Sequence, residues 1–128
     1  MTRSHPDPRV EQWVVSQGDE LYLSVVTLGE LRKGITLLPS SDSRRARLEQ
    51  WFHDDLLALF AGRILPLTQA IAERWGALEG ERQLLGRPLS SADGQIAATS
   101  LEHDLALVTR NVRDFEGLGL TIVNPWEG

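Results

Sequence analysis

The sequence predicts an α/β fold in which helices cover a mostly parallel sheet. Two observations carry that expectation. Short aliphatic runs of strand length alternate along the chain with longer runs of helical period. Their order, strand then helix then strand, returns each strand to the same end of a sheet, which favours parallel pairing under helical layers.

The elements follow in order. Pro8 to Ser16 predicts a short helix, with Val10, Trp13 and Val14 on one face. The run "DELYLSVVT" is dense in aliphatic and β-branched residues and predicts a buried strand. "TLGELRKGITLL" has helical period, with Leu28, Leu31, Ile35 and Leu38 in register, and Pro39 with the serines after it breaks the chain. "RRARLEQWFHDDLLALFAG" predicts a long amphipathic helix, with Leu48, Trp51, Phe52, Leu56, Leu59 and Phe60 inward and Gly62 as the stop. "RILPLT" is a short strand, and "QAIAERWGALEGERQLLG" a helix with Ile71, Trp75 and Leu78 inward. A loop, "RPLSS", leads into the helix "ADGQIAATSLEHD". "LALVT" and "LTIVN" are strands, separated by a helical turn in "VRDFEGLG".

A chain of 128 residues fits one domain, 1–128, and neither repeats nor linkers divide it. Apolar content of 41% and charged content of 24% are ordinary for a globular protein, large enough to bury a core. The net charge of −5 weighs against a nucleic-acid coat protein, which usually carries a basic footprint. There is no cysteine, so disulfides, thiol chemistry and cysteine metal sites are excluded. His5, His53 and His103 lack metal-ligand spacing. The longest apolar stretches, such as Leu56–Ala61, are far too short to span a bilayer, and the first residues lack a signal-peptide core. The expectation is a cytoplasmic protein with no membrane association.

In parallel sheets, ligands sit beyond the carboxyl ends of the strands. Three runs pair a capping residue with an acid three positions later: Thr27 with Glu30 after the first strand, Ser90 with Asp93 opening the helix after the "GRPL" loop, and Asn111 with Asp114 after "LALVT". Each fits a capping box, in which the acid also favours the positive end of a helix dipole. Taken together they admit a second reading. Carboxylates that converge in a cleft need a cation, and magnesium, which prefers oxygen ligands, suits them. Such an ion can activate water and stabilise charge on a phosphodiester. Spacing alone leaves both readings open.

The stretches "LYLSVVTLGELRKGI", "LFAGRILPL", "GRPLSSADGQIAATS" and "LALVTRNVRDFEGLGLTIVNPW" resemble the VapC-like PIN-domain ribonucleases, toxin halves of type II toxin–antitoxin pairs, and the FitB-like branch in particular. The resemblance covers nearly all of the chain from Leu21 onward. It implies an α/β/α sandwich, an acidic cluster binding magnesium (or manganese), and cleavage of RNA. It further implies a cognate antitoxin, a homodimer, and operator DNA reached only through the antitoxin. Glu30 and Asp93 match two of the family's acids. The fourth acid sits either at Asn111 or three residues on at Asp114, and Asp114 is the carboxylate, with Asn111 left to orient a water. Thr109, Arg110 and Arg32 neighbour these positions as candidate substrate contacts, with the arginines suited to phosphate. Arg82 lies near the Ile71–Trp75–Leu78 face and is expected to point toward the cleft instead of solvent, or to snorkel. Trp51 and Trp75 are candidate dimer contacts.

One departure stands out. The family usually begins with a short apolar strand ending in "D-T-N", whose aspartate is the first metal-binding acid. Here "SHPDPRVEQWV" resembles the segment that follows it, and Asp7, between two prolines, is no substitute. The expectation is therefore a chain lacking the usual first, central strand and its acid, with weak cleavage by residues 1–128 alone. A second class of function fits that departure: a non-catalytic module that pairs with an antitoxin and supports operator binding.

Overall fold

A computed structural model describes residues 16–17 and 20–126. The predicted helix at Pro8 to Ser16 falls outside the described residues except for Ser16, which is helical. The chain divides into two compact units, Met1–Leu65 and Pro66–Gly128.

In the first unit, β1 (Leu23–Ser24) runs directly into helix α1 (Val25–Thr36). The expected strand "DELYLSVVT" is thus cut short, because its β-branched end is helical. The reason is local. Ser24 is extended, and its hydroxyl accepts a hydrogen bond from the Val26 backbone N–H at 3.0 Å, capping the helix there. Burial of Ile35, with Leu28 and Leu31 against the same core, then outweighs the strand preference of Val25 and Val26.

After Pro39, Asp42 caps α2 (Ser43–Gln50). Its carboxylate accepts from the Arg44 backbone N–H at 2.9 Å and pairs with the Arg44 guanidinium at 2.8 Å. These bonds hold the Asp42 pKa down at about 2. Arg32 of α1 reaches Glu49 of α2 at 2.7 Å, which lowers the Glu49 pKa.

The expected single long helix is interrupted. Trp51–Leu56 is a π-helical stretch, followed by the short α3 (Leu57–Leu59). The Leu57 N–H donates to the Phe52 carbonyl, so the turn holds an extra residue and the inward face shifts. Phe52 and Leu56 are buried as expected, but Trp51 is 37% exposed and Leu59 48% exposed. Leu57 takes the inward place that the regular period assigned to Leu59. Gly62, at φ 78°, ends the helix in a left-handed conformation that glycine adopts without strain. The chain then enters β2 (Ile64–Leu65), which pairs in parallel with β1, Leu23 opposite Ile64.

In the second unit, α4 (Gln69–Leu84) is capped by Thr68, whose hydroxyl accepts from the Ile71 N–H at 3.2 Å. Helix α5 (Ser91–Glu102) follows the "RPLSS" loop. Strand β3 (Leu107–Val108) pairs in parallel with β4 (Ile122–Val123), and a 3-10 turn, Val112–Phe115, lies between them. Ala97, Leu107 and Phe115 form the buried centre, with Leu78, Ile96, Leu118, Leu120 and Ile122 around it. Ile71 is fully buried, as its helical register predicts. The expected parallel strands are therefore present, short, and paired within each unit.

Trp75 of α4 explains a glycine inside α5. A Cβ at Gly94 would lie 2.8 Å from Trp75 Cδ1, closer than real contacts allow, and a tight 3.1 Å from Nε1. Gly80, by contrast, has open space around it in α4. Gly94→Ala is expected to lose about 1–3 kcal/mol by overpacking, while Gly80→Ala gains about 0.5–1 kcal/mol from helix propensity. Denaturant midpoints of the two variants read both signs. Asp42 supplies a pH test. Its pKa is depressed from 3.8, so the cap's contribution is complete above that value and is lost as pH falls through about 2. Carboxyl NMR titration should place the Asp42 midpoint about there; an ordinary aspartate midpoint would refute the cap geometry.

Candidate active site

Glu30 lies in the middle of α1, beyond the first turn, because the helix begins at Val25. The expected Thr27–Glu30 capping box is therefore absent: Thr27 is inside the helix and Ser24 is the cap. That removes the structural reason for an acid at position 30. Glu30 is exposed and makes no ion pair among the described residues. Its neighbour Arg32 is engaged: Glu49 holds its guanidinium at 2.7 Å, and its Cζ lies 5.8 Å from the Phe52 ring centroid.

The second unit carries the other candidates. Ser90 caps α5, and its hydroxyl accepts from the Asp93 N–H at 3.1 Å. Asp93 therefore sits in the first turn, partly buried, where the helix dipole favours a negative charge. Here the capping reading and the ligand reading coincide. One turn further along, Ala97 packs in the same buried centre as Phe115. Phe115 is the neighbour of Asp114, so one core supports the segments that carry both acids.

Asp114 lies in the 3-10 turn, exposed, with its N–H donating to the Asn111 carbonyl at 3.2 Å. The Asn111 side chain makes no capping bond, so the second expected capping box is also missing. Instead, the Asn111 N–H donates to the Thr109 hydroxyl at 3.1 Å. Thr109 is anchored at the end of β3, its N–H donating to the Val123 carbonyl at 3.1 Å. Thr109, Asn111 and Asp114 thus follow the carboxyl end of a parallel strand, the place where α/β sheets present ligand groups. Arg110 is exposed, with its Cζ 5.5 Å from the Trp126 ring centroid. Glu30, Asp93 and Asp114 offer oxygen donors of the kind a hard divalent cation takes. Within either unit, no three described His, Asp or Glu side chains gather into a metal-binding group.

Two features escaped the sequence reading. Ser24 is the true start of α1, signalled only by a serine ahead of the first helical residues. Arg82 is buried, as its helical face suggested, but the carbonyls it binds lie far along the chain and leave no mark in local spacing. Its Nε donates to the Arg87 carbonyl and its Nη1 to the Glu116 carbonyl, each at 2.9 Å.

Among the described residues, no helix is long and apolar enough to cross a membrane. Residues 1–119 match the PIN domain family. The chain is 36% identical over 126 residues to VapC ribonuclease Y4jK of Sinorhizobium fredii, an alignment covering 98% of this chain and 89% of that protein. It is 34% identical over 125 residues to Toxin FitB of Neisseria gonorrhoeae, covering 97% and 89%. The structure of FitAB bound to an IR36 DNA fragment superposes with a TM-score of 0.84 at 33% identity, covering 97% of this chain and 87% of that one. An α/β chain with short parallel strands, a match to the PIN model over residues 1–119 and this likeness across its length is a member of the PIN-domain family.

Proposed function

We propose that the protein is the toxin of a type II toxin–antitoxin pair, a metal-dependent endoribonuclease restrained by a cognate antitoxin. The observation that carries the reading is the 36% identity with a VapC ribonuclease over 98% of the chain. Glu30, Asp93 and Asp114 are the carboxylates suited to magnesium (or manganese). When bound, such an ion lowers the pKa of a water and stabilises charge on the phosphodiester. The loss of the capping role at Glu30, together with its exposure, supports its assignment as a ligand.

Arg110 is the arginine best suited to meet an RNA phosphate. It is exposed and carries no carboxylate partner among the described residues, whereas Arg32 is held by Glu49. The Thr109–Asn111 bond fixes the backbone from which the Asn111 amide can orient a water or a substrate hydroxyl. We infer that the protein acts in the cytoplasm as a homodimer and reaches operator DNA only through the antitoxin; the similar FitAB is known bound to an IR36 DNA fragment. Trp51, exposed on its helix, is the aromatic suited to a dimer contact, while Trp75 is packed on Gly94.

RNA cleavage in magnesium tests the site. Glu30→Gln, Asp93→Asn and Asp114→Asn should each lower the rate at least about a hundredfold, the scale of loss expected when reacting groups are misplaced. An Asp93→Asn variant as active as its parent would sink the site. Arg110→Ala should leave kcat nearly intact and raise KM about tenfold, the value of one charge-assisted contact. A fall in kcat with KM unchanged would place Arg110 elsewhere in the mechanism.

A further inference from the structure

We propose that Arg82 is a positioning residue, holding the segments that carry Asp93 and Asp114 in one fixed arrangement. The inference rests on the carboxylate reading above.

Arg82 lies in the last turn of α4 and is 8% exposed. Its guanidinium binds two backbone carbonyls and, among the described residues, no carboxylate. One carbonyl belongs to Arg87, which also donates its own N–H back to the Arg82 carbonyl at 2.9 Å. Arg87 opens the short loop through Pro88 and buried Leu89 to Ser90, the cap that places Asp93. The other carbonyl belongs to Glu116, which closes the 3-10 turn containing Asp114.

The guanidinium donors form a rigid planar fork, so both carbonyls are held at a set separation. A lysine ammonium has no such fork and lacks the planar geometry that sets this separation. The two segments meet again where Ala97 packs with Phe115. Asp93 and Asp114 are thus each bounded by a clip on one side and a buried contact on the other. Burying a charge whose partners are neutral carbonyls is costly. Such a residue earns its place by what it orders, and what it orders here are the two acid-bearing segments.

The test uses the full chain and two readouts. Manganese affinity by calorimetry should weaken about 10–100-fold in Arg82→Met, the usual cost of losing a group that orients ligands. Arg82→Lys should fall between. Ile71→Val, which thins the buried face of the same helix and keeps the clip, should bind manganese like the parent. Amide exchange should quicken in Arg82→Met across both Leu89–Asp93 and Asp114–Glu116. Parent-like manganese affinity in Arg82→Met, or equal weakening in Ile71→Val, overturns the proposal. Unchanged exchange in either segment also overturns it. An Asp93→Asn variant that binds manganese like its parent strikes the carboxylate centre itself, and the positioning role falls with it, while the exchange data separate that failure from a missing clip.

Discussion

Each strand among the described residues is two residues long, and that constraint shapes everything around it. A two-residue ladder satisfies few backbone groups, yet the connecting segments carry carbonyls that still need partners. Arginine side chains supply them. Arg63 donates to the Leu21 carbonyl at 2.8 Å and also to that of Leu59, joining both sides of the β1–β2 pair. Arg45 donates to the Leu38 carbonyl at 3.0 Å and ties α2 to the end of α1. Arg82 does the same work twice in the second unit. Arginine suits this task because its five donors are fixed in a plane and it keeps its charge.

That use of arginine bears on how an acidic protein could handle RNA. The net charge is −5, so attraction to phosphate cannot come from a broad basic field. Several of the arginines already have partners within the protein. Arg32 belongs to Glu49 and Phe52, Arg44 to Asp42, and Arg74 to Glu102. Arg110 stands apart, lying against Trp126 with its charge facing solvent. A cation over an aromatic face keeps its charge while losing some of its freedom, which suits a contact that must be ready when substrate arrives.

The glycine and the π-helical turn show how packing overrules local preference. Gly94 interrupts a good helix former's position because the Trp75 ring occupies the space a Cβ needs. The extra residue in Trp51–Leu56 rotates the following turn, which packs Leu57, partly buried, against the core and leaves Leu59 outside. Both are exchanges of a small local cost for a better-filled core.

Much of the fold was legible in the amino-acid order. Helical patterning located α1, α4 and α5, and Ile35 and Ile71 sit where the helical period puts them. Gly62 ended its helix and Ser90 began α5, since those roles depend on one residue's own conformation. The motifs around Glu30, Asp93 and Asp114 pointed to the PIN family because residue types at set spacing survive in a string of letters. Tertiary structure alone decided the rest. The boundary between β1 and α1, the shifted face after the π-helical turn, the loss of two capping boxes and the two carbonyls bound by Arg82 all depend on groups that meet only when the chain is folded. Spacing along a sequence records which residues can share a face, whereas a hydrogen bond from Arg82 to Glu116, far along the chain, is set by packing that no local pattern encodes.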